Sequence, residues 1–567
     1  MSFSIAKCII NALNASRSKI ELSLTKSLQQ ASNIVMGILS ESAEIPLTAI
    51  RGPPGTGKTT AYVYSISQHL YSEGASLDAL NKNILYVTSI NRLVQDVFIR
   101  VLQRFLSLGI IDIHDKQSLV RSLASIRVWG SQIIPYTGDN EIKALYESLG
   151  GVISVSELKD LLRLMTKREG KENIRMVFTT EWQSVPISLD RDTFILVDEA
   201  SKSPMFHAFI PIARKLLQSC NMHSHELRLY GLSVIGDVQQ AISLEPEYSS
   251  LKGRELLLLP YIERIIDSAC KSGIIRNCDA YKLMLQETLR LPKFSEDPIS
   301  YGYYEGRLKA IYTLGQKIDT NIISAIVECL NTTYKKISEF LDQKLDRILS
   351  EYVEKAKAIF ESYKVLFSNP LPPLIVIDTE RHRYERGKEV EPHRVVIAST
   401  IALLFAHMLD CLYCGKRIAF TLAIIAPYTE LVTAIYQCFH YLKSRLQIDL
   451  SNIESLVQFS TVHAFLGGEA DFVIAVLGRE YYPSLYYPSI YFKEPELLNV
   501  QLSRHKLLLT VIGSVEYFYH SAQQFNIDKS IGEPRLATTL QQLIDLVEEH
   551  NLRIFYTDRR SRGRSRS

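Results

Sequence analysis

The chain has 567 residues, 46% of them apolar and 22% charged, with a formal net charge of +3 at pH 7. That length exceeds what one hydrophobic core serves, so two or three domains are expected, and the composition excludes a fibrous or wholly disordered chain. The near-balanced charge neither requires nor excludes polyanion binding; a nucleic-acid contact would have to be a local basic groove.

In chain order, residues 1–15 lack a basic start followed by a long apolar core, so no leader peptide is expected. Residues 1–42 read as helical, with Ile5, Ile9, Ile10 and Leu13 recurring at three- and four-residue steps. A strand over 46–50, the loop 52–59 and a helix over 60–70 follow, then a strand at 84–87 and an amphipathic helix at 93–108. Residues 109–170 interrupt the alternation and are expected to form an inserted helical subdomain. Short apolar runs at 176–179, 194–197 and 232–235 suit buried parallel strands. Residues 321–367 are continuously helical in pattern, with Ile326, Leu330, Ile337, Leu341, Leu345 and Ile348 near one face, as in a plain helical insertion. Strand-like runs resume at 374–377, 422–425, 472–476 and 507–512. The longest apolar stretches, such as 397–409, are too short or too interrupted to span a bilayer. The scattered cysteines suit free thiols in a reducing, cytoplasmic setting, and Cys411 and Cys414 lack the second pair a zinc site needs. The tail 559–567, RRSRGRSRS, cannot bury a core and is expected to be disordered, as a solubilising tail or a weak phosphate contact.

Chemistry enters at residues 52–59, GPPGTGKT, which fit the phosphate-loop pattern between a strand and a helix. Gly52, Pro53, Pro54, Gly55, Thr56 and Gly57 would wrap backbone N–H groups round a triphosphate. Lys58 would reach its outer phosphates, Thr59 would ligate Mg²⁺, and Thr60 opens the helix. Residues 194–201, FILVDEAS, end a strand in Asp198 and Glu199, placed to hold Mg²⁺ and to polarise an attacking water respectively. Residues 234–240, VIGDVQQ, repeat the pattern, with Asp237 and Gln240 suited to sensing the γ-phosphate.

The loop, DEAS and GDVQQ, in this order, resemble those of the superfamily 1 helicases. Residues 289–308 (LRLPKFSEDPISYGYYEGRL), Pro427–Tyr428 after a strand, TVHAFLGGE at 461–469 and NVQLSRHKLLLTVIG at 499–513 are similar to the upframeshift/senataxin-like branch with its AAA-type helicase domains. The resemblance implies an α/β fold of two RecA-like parallel-sheet domains with inserted helical subdomains. The first would cover 1–285 with its insertion near 109–170. The second would cover 286–525 with a helical insertion near 310–368, and 526–567 would add a helix and the basic tail.

On the same resemblance, Arg290 and Arg504 act as arginine fingers, Glu469 binds the nucleotide ribose, and Gln30 or Gln29 reads the adenine edge. Thr88, Ser89, Asn91, Thr179, Pro427, Tyr428, Thr461 and His463 grip nucleic-acid phosphates, and Thr180 is similarly placed. The chain departs from the branch at His463, Leu466 and Gly468 in the fifth motif, at Leu289 in place of tyrosine, and at Lys202 in place of glutamine. The expected activity is ATP- and Mg²⁺-dependent translocation, 5′→3′, along single-stranded DNA or RNA with duplex unwinding, by a soluble cytoplasmic monomer without a membrane partner. The alternatives are an ATPase clamp that remodels ribonucleoprotein without separating strands, and an inactive interaction module.

Overall fold

The computed structural model describes residues 4–16, 24–80, 82–130, 138–167, 174–184, 192–202, 209–210, 212–213, 229–240, 257–344, 372–379, 390–480, 489–528 and 534–555. The chain divides into two compact units, residues 1–287 and 288–567. The predicted disordered tail and the 345–367 part of the predicted helical insertion lie outside the described residues.

The first unit opens with helices α1 (Ile5–Ser16) and α2 (Lys26–Leu39). Its sheet holds β1 (Leu47–Arg51), β2 (Asn83–Thr88), β3 (Ile126–Trp129), β4 (Met176–Thr180), β5 (Thr193–Asp198), β6 (Leu229–Gly236) and β7 (Lys282–Met284). These seven strands lie in the order β3-β4-β2-β5-β6-β1-β7, all parallel. Because helices cover both faces, every residue of β2, β4 and β5 is buried, which is why these strands read as unbroken apolar runs in the sequence. Each fully buried Val, Ile or Leu there contributes about 1.5–3 kcal/mol. Helices α3 (Lys58–Ser72) and α4 (Asn91–Ser107) follow β1 and β2 as the crossovers a parallel sheet requires.

The 109–170 stretch differs from the expected separate subdomain. Helices α5 (Lys116–Ala124), α6 (Asp139–Ser148) and α7 (Val155–Thr166) bury Leu119, Leu123, Leu145, Leu158 and Leu161 in the same core as α1 and α4. Between α5 and α6, β3 joins the sheet edge, with Ile126 opposite Met176 and Trp129 opposite Thr179. Among the described residues the segment has no core of its own, because its apolar faces are already covered by the sheet and by the N-terminal helices.

The second unit has a six-stranded parallel sheet in the order 457–461, 422–426, 470–476, 505–513, 374–378, 553–555. The last of these, Arg553–Phe555, is an edge strand that the polar C-terminal sequence did not suggest. Helix Thr320–Lys344 sets Ile326 and Leu330 into this unit's core, as their spacing predicts.

Helix Pro392–Lys416 corrects the sequence reading: it runs 25 residues and is long and apolar enough, by length and composition, to cross a membrane. In the structure 78% of its most apolar window is buried within the protein. An all-round apolar helix is what a core position demands. Ser399 donates to the Ile435 carbonyl at 3.0 Å, and His407 Nδ1 lies 2.8 Å from the Thr333 hydroxyl, so helices pack on two of its sides.

The cysteines also depart from expectation. Cys270 is bonded to Cys278, and Cys329 to Cys411, each pair with Cα atoms 5.9 Å apart. The second bond ties helix Thr320–Lys344 to Pro392–Lys416, two segments whose proximity local sequence does not encode. Cys8, Cys414 and Cys438 are free.

Candidate functional site

In the first unit the sheet register gathers the motifs at one edge. Thr88 pairs with Thr180 on one side and Asp198 on the other, Asp198 with Ile235, and Arg51 with Gly236, so the carboxyl ends of five strands meet beside the phosphate loop. Parallel sheets bind ligands at this end.

The loop has the geometry its glycines permit. Gly55 and Gly57 hold φ of 68° and 87°, in the left-handed region that a side chain disfavours. A Cβ on Gly52 would lie 2.2 Å from Lys58 Cγ, so that glycine makes room for the lysine stem. Lys58 folds back over the loop and donates to the Gly52 carbonyl at 2.7 Å, while Thr56 donates to the Pro53 carbonyl at 2.8 Å. No side chain caps the start of α3, leaving its first N–H groups for an anion. Pro53 and Pro54 complete the loop, and Thr60 sits in the first turn of α3. A Cβ on Gly57 would meet Leu28 of α2 at 3.2 Å. The first turns of α2 thus lie against the loop, and both Gln29 and Gln30 are exposed there.

Asp198 is buried and heavily engaged. One oxygen, Oδ2, accepts from the Thr59 hydroxyl and from the Tyr86 hydroxyl, each at 2.9 Å; Oδ1 accepts from the Glu199 N–H at 2.8 Å. Burial and the neighbouring Glu199 push its carboxyl up to about 6, against the opposing pull of Thr59, Lys58 and Tyr86. A hydroxyl and a carboxylate in contact form a hard oxygen pair of the kind that holds Mg²⁺ together with nucleotide phosphates. Among the described residues no cluster of three or more His, Cys, Asp or Glu side chains forms an all-protein cage. The residues therefore fit a metal shared with phosphate.

Glu199 sits at φ 56°, a sparsely populated conformation for a non-glycine residue, at the sharp turn after β5. Lys202 lies 3.2 Å from its carboxylate, both side chains largely buried. Beyond β6, Gln240 donates to Asp237 Oδ2 at 2.7 Å, and the Asp237 N–H donates to the Ser201 hydroxyl at 2.8 Å. A Cβ on Gly236 would lie 2.8 Å from the Ser201 N, so the backbone of DEAS closes directly onto β6. Tyr86, Ser201 and the Lys202 pairing were not singled out from the sequence. The one signal for Tyr86 was a hydroxyl in the otherwise apolar run of β2.

In the second unit Arg290, Glu469 and Arg504 come together as one cluster. Glu469 bridges Arg290 Nη2 and Lys506 Nζ, each at 2.8 Å. Burial would raise its carboxyl, but Arg290 and Lys506 outweigh that and hold it below the usual range. Arg504 is buried and donates to the Val500 carbonyl at 2.9 Å. Lys317 donates to the Lys506 carbonyl at 2.8 Å and to that of Arg290; burial and the neighbouring cations bring its ammonium down to about 8. Between the two basic residues, His505 is buried, bonded to Ser295 at 2.8 Å, and driven down to about 3 by burial and the nearby Lys317. Lys506 and Lys317 were missed because nothing in the local pattern set them apart from surface lysines.

The predicted nucleic-acid residues fall at strand ends but are unequally accessible. Thr88 and Thr179 are fully buried, with the Thr179 hydroxyl on the Thr180 carbonyl at 3.2 Å. Ser89 Oγ is buried without a hydrogen-bond partner, and Asn91 opens α4. In the second unit Pro427 is buried, while Tyr428 accepts the Ile490 N–H at 3.2 Å and faces the Arg479 guanidinium at 5.4 Å. The Thr461 hydroxyl accepts the Ala464 N–H at 3.2 Å, and His463 lies 3.4 Å from Glu494.

Comparison with known proteins fits this layout. Two family models match, each described as an AAA domain, over residues 26–173 and 303–516. The DNA polymerase alpha-associated DNA helicase A of Saccharomyces cerevisiae is 23% identical over 509 residues, 84% of this chain. The chain spans 64% of that relative's length. The solved structure of a Saccharomyces cerevisiae Dbp5 variant bound to RNA and ADP BeF3 aligns over 94% of this chain and 99% of its own, at 10% identity and a TM-score of 0.37. The ordered motifs, the two AAA domain matches and the helicase relative together support a superfamily 1 helicase.

Proposed function

We propose that the protein is an ATP-dependent motor that moves 5′→3′ along single-stranded nucleic acid and separates duplexes. The observation that carries the reading is the contact of Thr59 with Asp198, beside Lys58 and the glycine loop, at the carboxyl edge of a parallel sheet. Bound Mg²⁺ would neutralise phosphate charge and orient the γ-phosphate for in-line attack. Thr59 and Asp198 would hold it, while Lys58 would leave the Gly52 carbonyl for the β- and γ-phosphates. Glu199 would orient and deprotonate the attacking water, and Gln240 would register the γ-phosphate through Asp237. Gln30 or Gln29 would read the adenine edge. Arg290 and Arg504 would supply charge to the transition state and Glu469 would take the ribose. The relative's name supports DNA as the first substrate to test.

Replacing Lys58 with Ala is expected to abolish ATP hydrolysis; wild-type turnover in that variant would refute the site. A 5′-tailed duplex then separates motor from clamp. Strand displacement in the presence of ATP supports the motor, whereas strand-stimulated hydrolysis without displacement supports the ribonucleoprotein-remodelling clamp, a reading favoured by the engagement of His463 with Glu494 in the altered fifth motif.

A further inference from the structure

The chain has two tryptophans, and they stand in opposite environments at the same end of the first sheet. Trp129 ends β3 and is 8% exposed; Trp182, two residues beyond β4, is 58% exposed. A single exposed apolar side chain is ordinary on a protein surface. What distinguishes Trp182 is the turn that presents it. The Glu181 N–H donates to the Thr88 carbonyl at 3.3 Å, and the Ser184 hydroxyl donates to the Glu181 carbonyl at 2.5 Å. Glu181 and Ser184 are 4% and 3% exposed. The short turn Trp182–Ser184 is therefore tied to the carboxyl end of β2 through Glu181 and closed on itself by Ser184, with the exposed indole between two buried residues.

The surroundings match what a nucleic-acid strand would need. Trp182 lies two residues after Thr180. Across the register Thr180 pairs with Thr88, after which come the buried, partnerless Ser89 hydroxyl and the exposed Arg92 in the first turn of α4. A cation in the first turn of a helix opposes the helix dipole, and no acidic residue offsets it there, so the position gains stability from an anion. Thr88 and Thr179, which the family resemblance would assign to phosphate contact, are fully buried, whereas the indole is accessible.

We propose that Trp182 is a base-stacking platform: an unstacked nucleobase of single-stranded nucleic acid lies on its ring. The inference rests on the nucleic-acid reading above and adds to it a residue and a mode of contact. Stacking uses the π-face that every base has, so it is tolerant of sequence and indifferent to the sugar, and DNA and RNA share it. A turn fixed before binding spares the cost of ordering the ring.

Tryptophan fluorescence reports the contact directly. Titrating wild type with single-stranded oligothymidylate, and in parallel oligouridylate, is expected to quench the exposed indole; in Trp182→Phe the quench should vanish. Trp182→Ala, with an unchanged thermal midpoint, is expected to bind about 5- to 150-fold more weakly, the loss one base–aromatic stack carries. Trp182→Phe should recover most of that loss. The DNA-to-RNA affinity ratio should be the same in wild type and Trp182→Ala. An abasic strand should bind wild type as weakly as the intact strand binds Trp182→Ala, with no further loss when both changes are combined. Wild-type affinity in Trp182→Ala, a quench that survives in Trp182→Phe, or equal affinity of wild type for abasic and intact strands would each overturn the stack while leaving the nucleic-acid reading in place. Failure of wild type to bind either strand would sink that reading as well.

Discussion

The carboxyl edge of the first unit's sheet and the motif cluster of the second unit rest on parallel strands of the same kind but carry different charge. At the first edge two carboxylates, Asp198 and Glu199, meet two lysines, Lys58 and Lys202, and hydroxyls from Thr59 and Tyr86 complete the contacts. In the second unit the cations Arg290, Arg504, Lys506 and Lys317 outnumber the carboxylates Glu469 and Asp471 beside them. A balanced, oxygen-rich pocket suits a metal and the phosphates that come with it; a cluster with surplus cations is completed by an anion. The two units thus differ in kind: the first edge has the oxygen donors that suit a metal and its phosphates, the second a cationic cluster that suits an anion.

The sharpest way to break that division is to remove charge from the second unit. Arg290→Ala is expected to lower ATP turnover by about 10³- to 10⁵-fold, the span of arginine-finger losses. Nucleotide binding, measured by calorimetry, should persist, since the phosphate loop belongs to the first unit. Loss of binding with turnover per bound nucleotide retained would reverse the assignment. Glu199→Gln should follow with about 10²- to 10⁴-fold lower turnover, as for removal of a general base. It keeps the shape of the turn and tests whether Glu199 acts on water or only pairs with Lys202. Single-turnover hydrolysis at the wild-type rate would leave it a purely structural partner.

How much of this division was legible in the sequence follows from which interactions are local. GPPGTGKT, FILVDEAS and VIGDVQQ each carry their own strand end and turn, so apolar runs and glycines sufficed to place them, and register then aligned them. The resemblance supplied Arg290, Glu469 and Arg504 but not Lys506 or Lys317, because a lysine becomes notable only when distant segments bring a shared carboxylate to it. Parallel pairing is equally silent in a short run. Ile126–Trp129 has no alternation to mark it as a strand, and the 109–170 stretch around it read as a separate subdomain. Cys329 and Cys411, 82 residues apart, pair only because their two helices pack against each other. Helix Pro392–Lys416 was cut short by reading its apolar middle without the flanks that the core also buries.

The first pocket can be probed by pH. Asp198 takes up a proton near pH 6, above its ordinary range, so below that pH a metal must displace the proton and above it need not. The Mg²⁺ concentration for half-maximal hydrolysis should therefore be flat from neutral pH down to about 6 and rise on further acidification, to about tenfold at one unit below. In metal-free buffer the linkage runs the other way. The folded state holds its proton to higher pH than the unfolded chain, so this group's contribution to stability is fully present at acid pH and is lost as pH rises through about 6. A Mg²⁺ requirement that is flat down to pH 5 would place the metal on other oxygens.

Tyr86→Phe should have the smallest effect and yet discriminates best between the two kinds of site. The change removes one of the two hydroxyls on Asp198 Oδ2 and keeps the ring that packs against Phe178. The expected cost is about 1 kcal/mol in chemical denaturation, typical of one intramolecular hydrogen bond. The carboxylate, having lost a donor to its charged form, should titrate still higher, so the acid rise in Mg²⁺ requirement should begin nearer neutrality. If Tyr86 were only a core residue, stability would fall and the pH profile would stay where it was. A shifted profile would mean that a strand residue buried behind the site tunes the proton affinity of Asp198, as Arg290 and Lys506 tune that of Glu469 in the second unit.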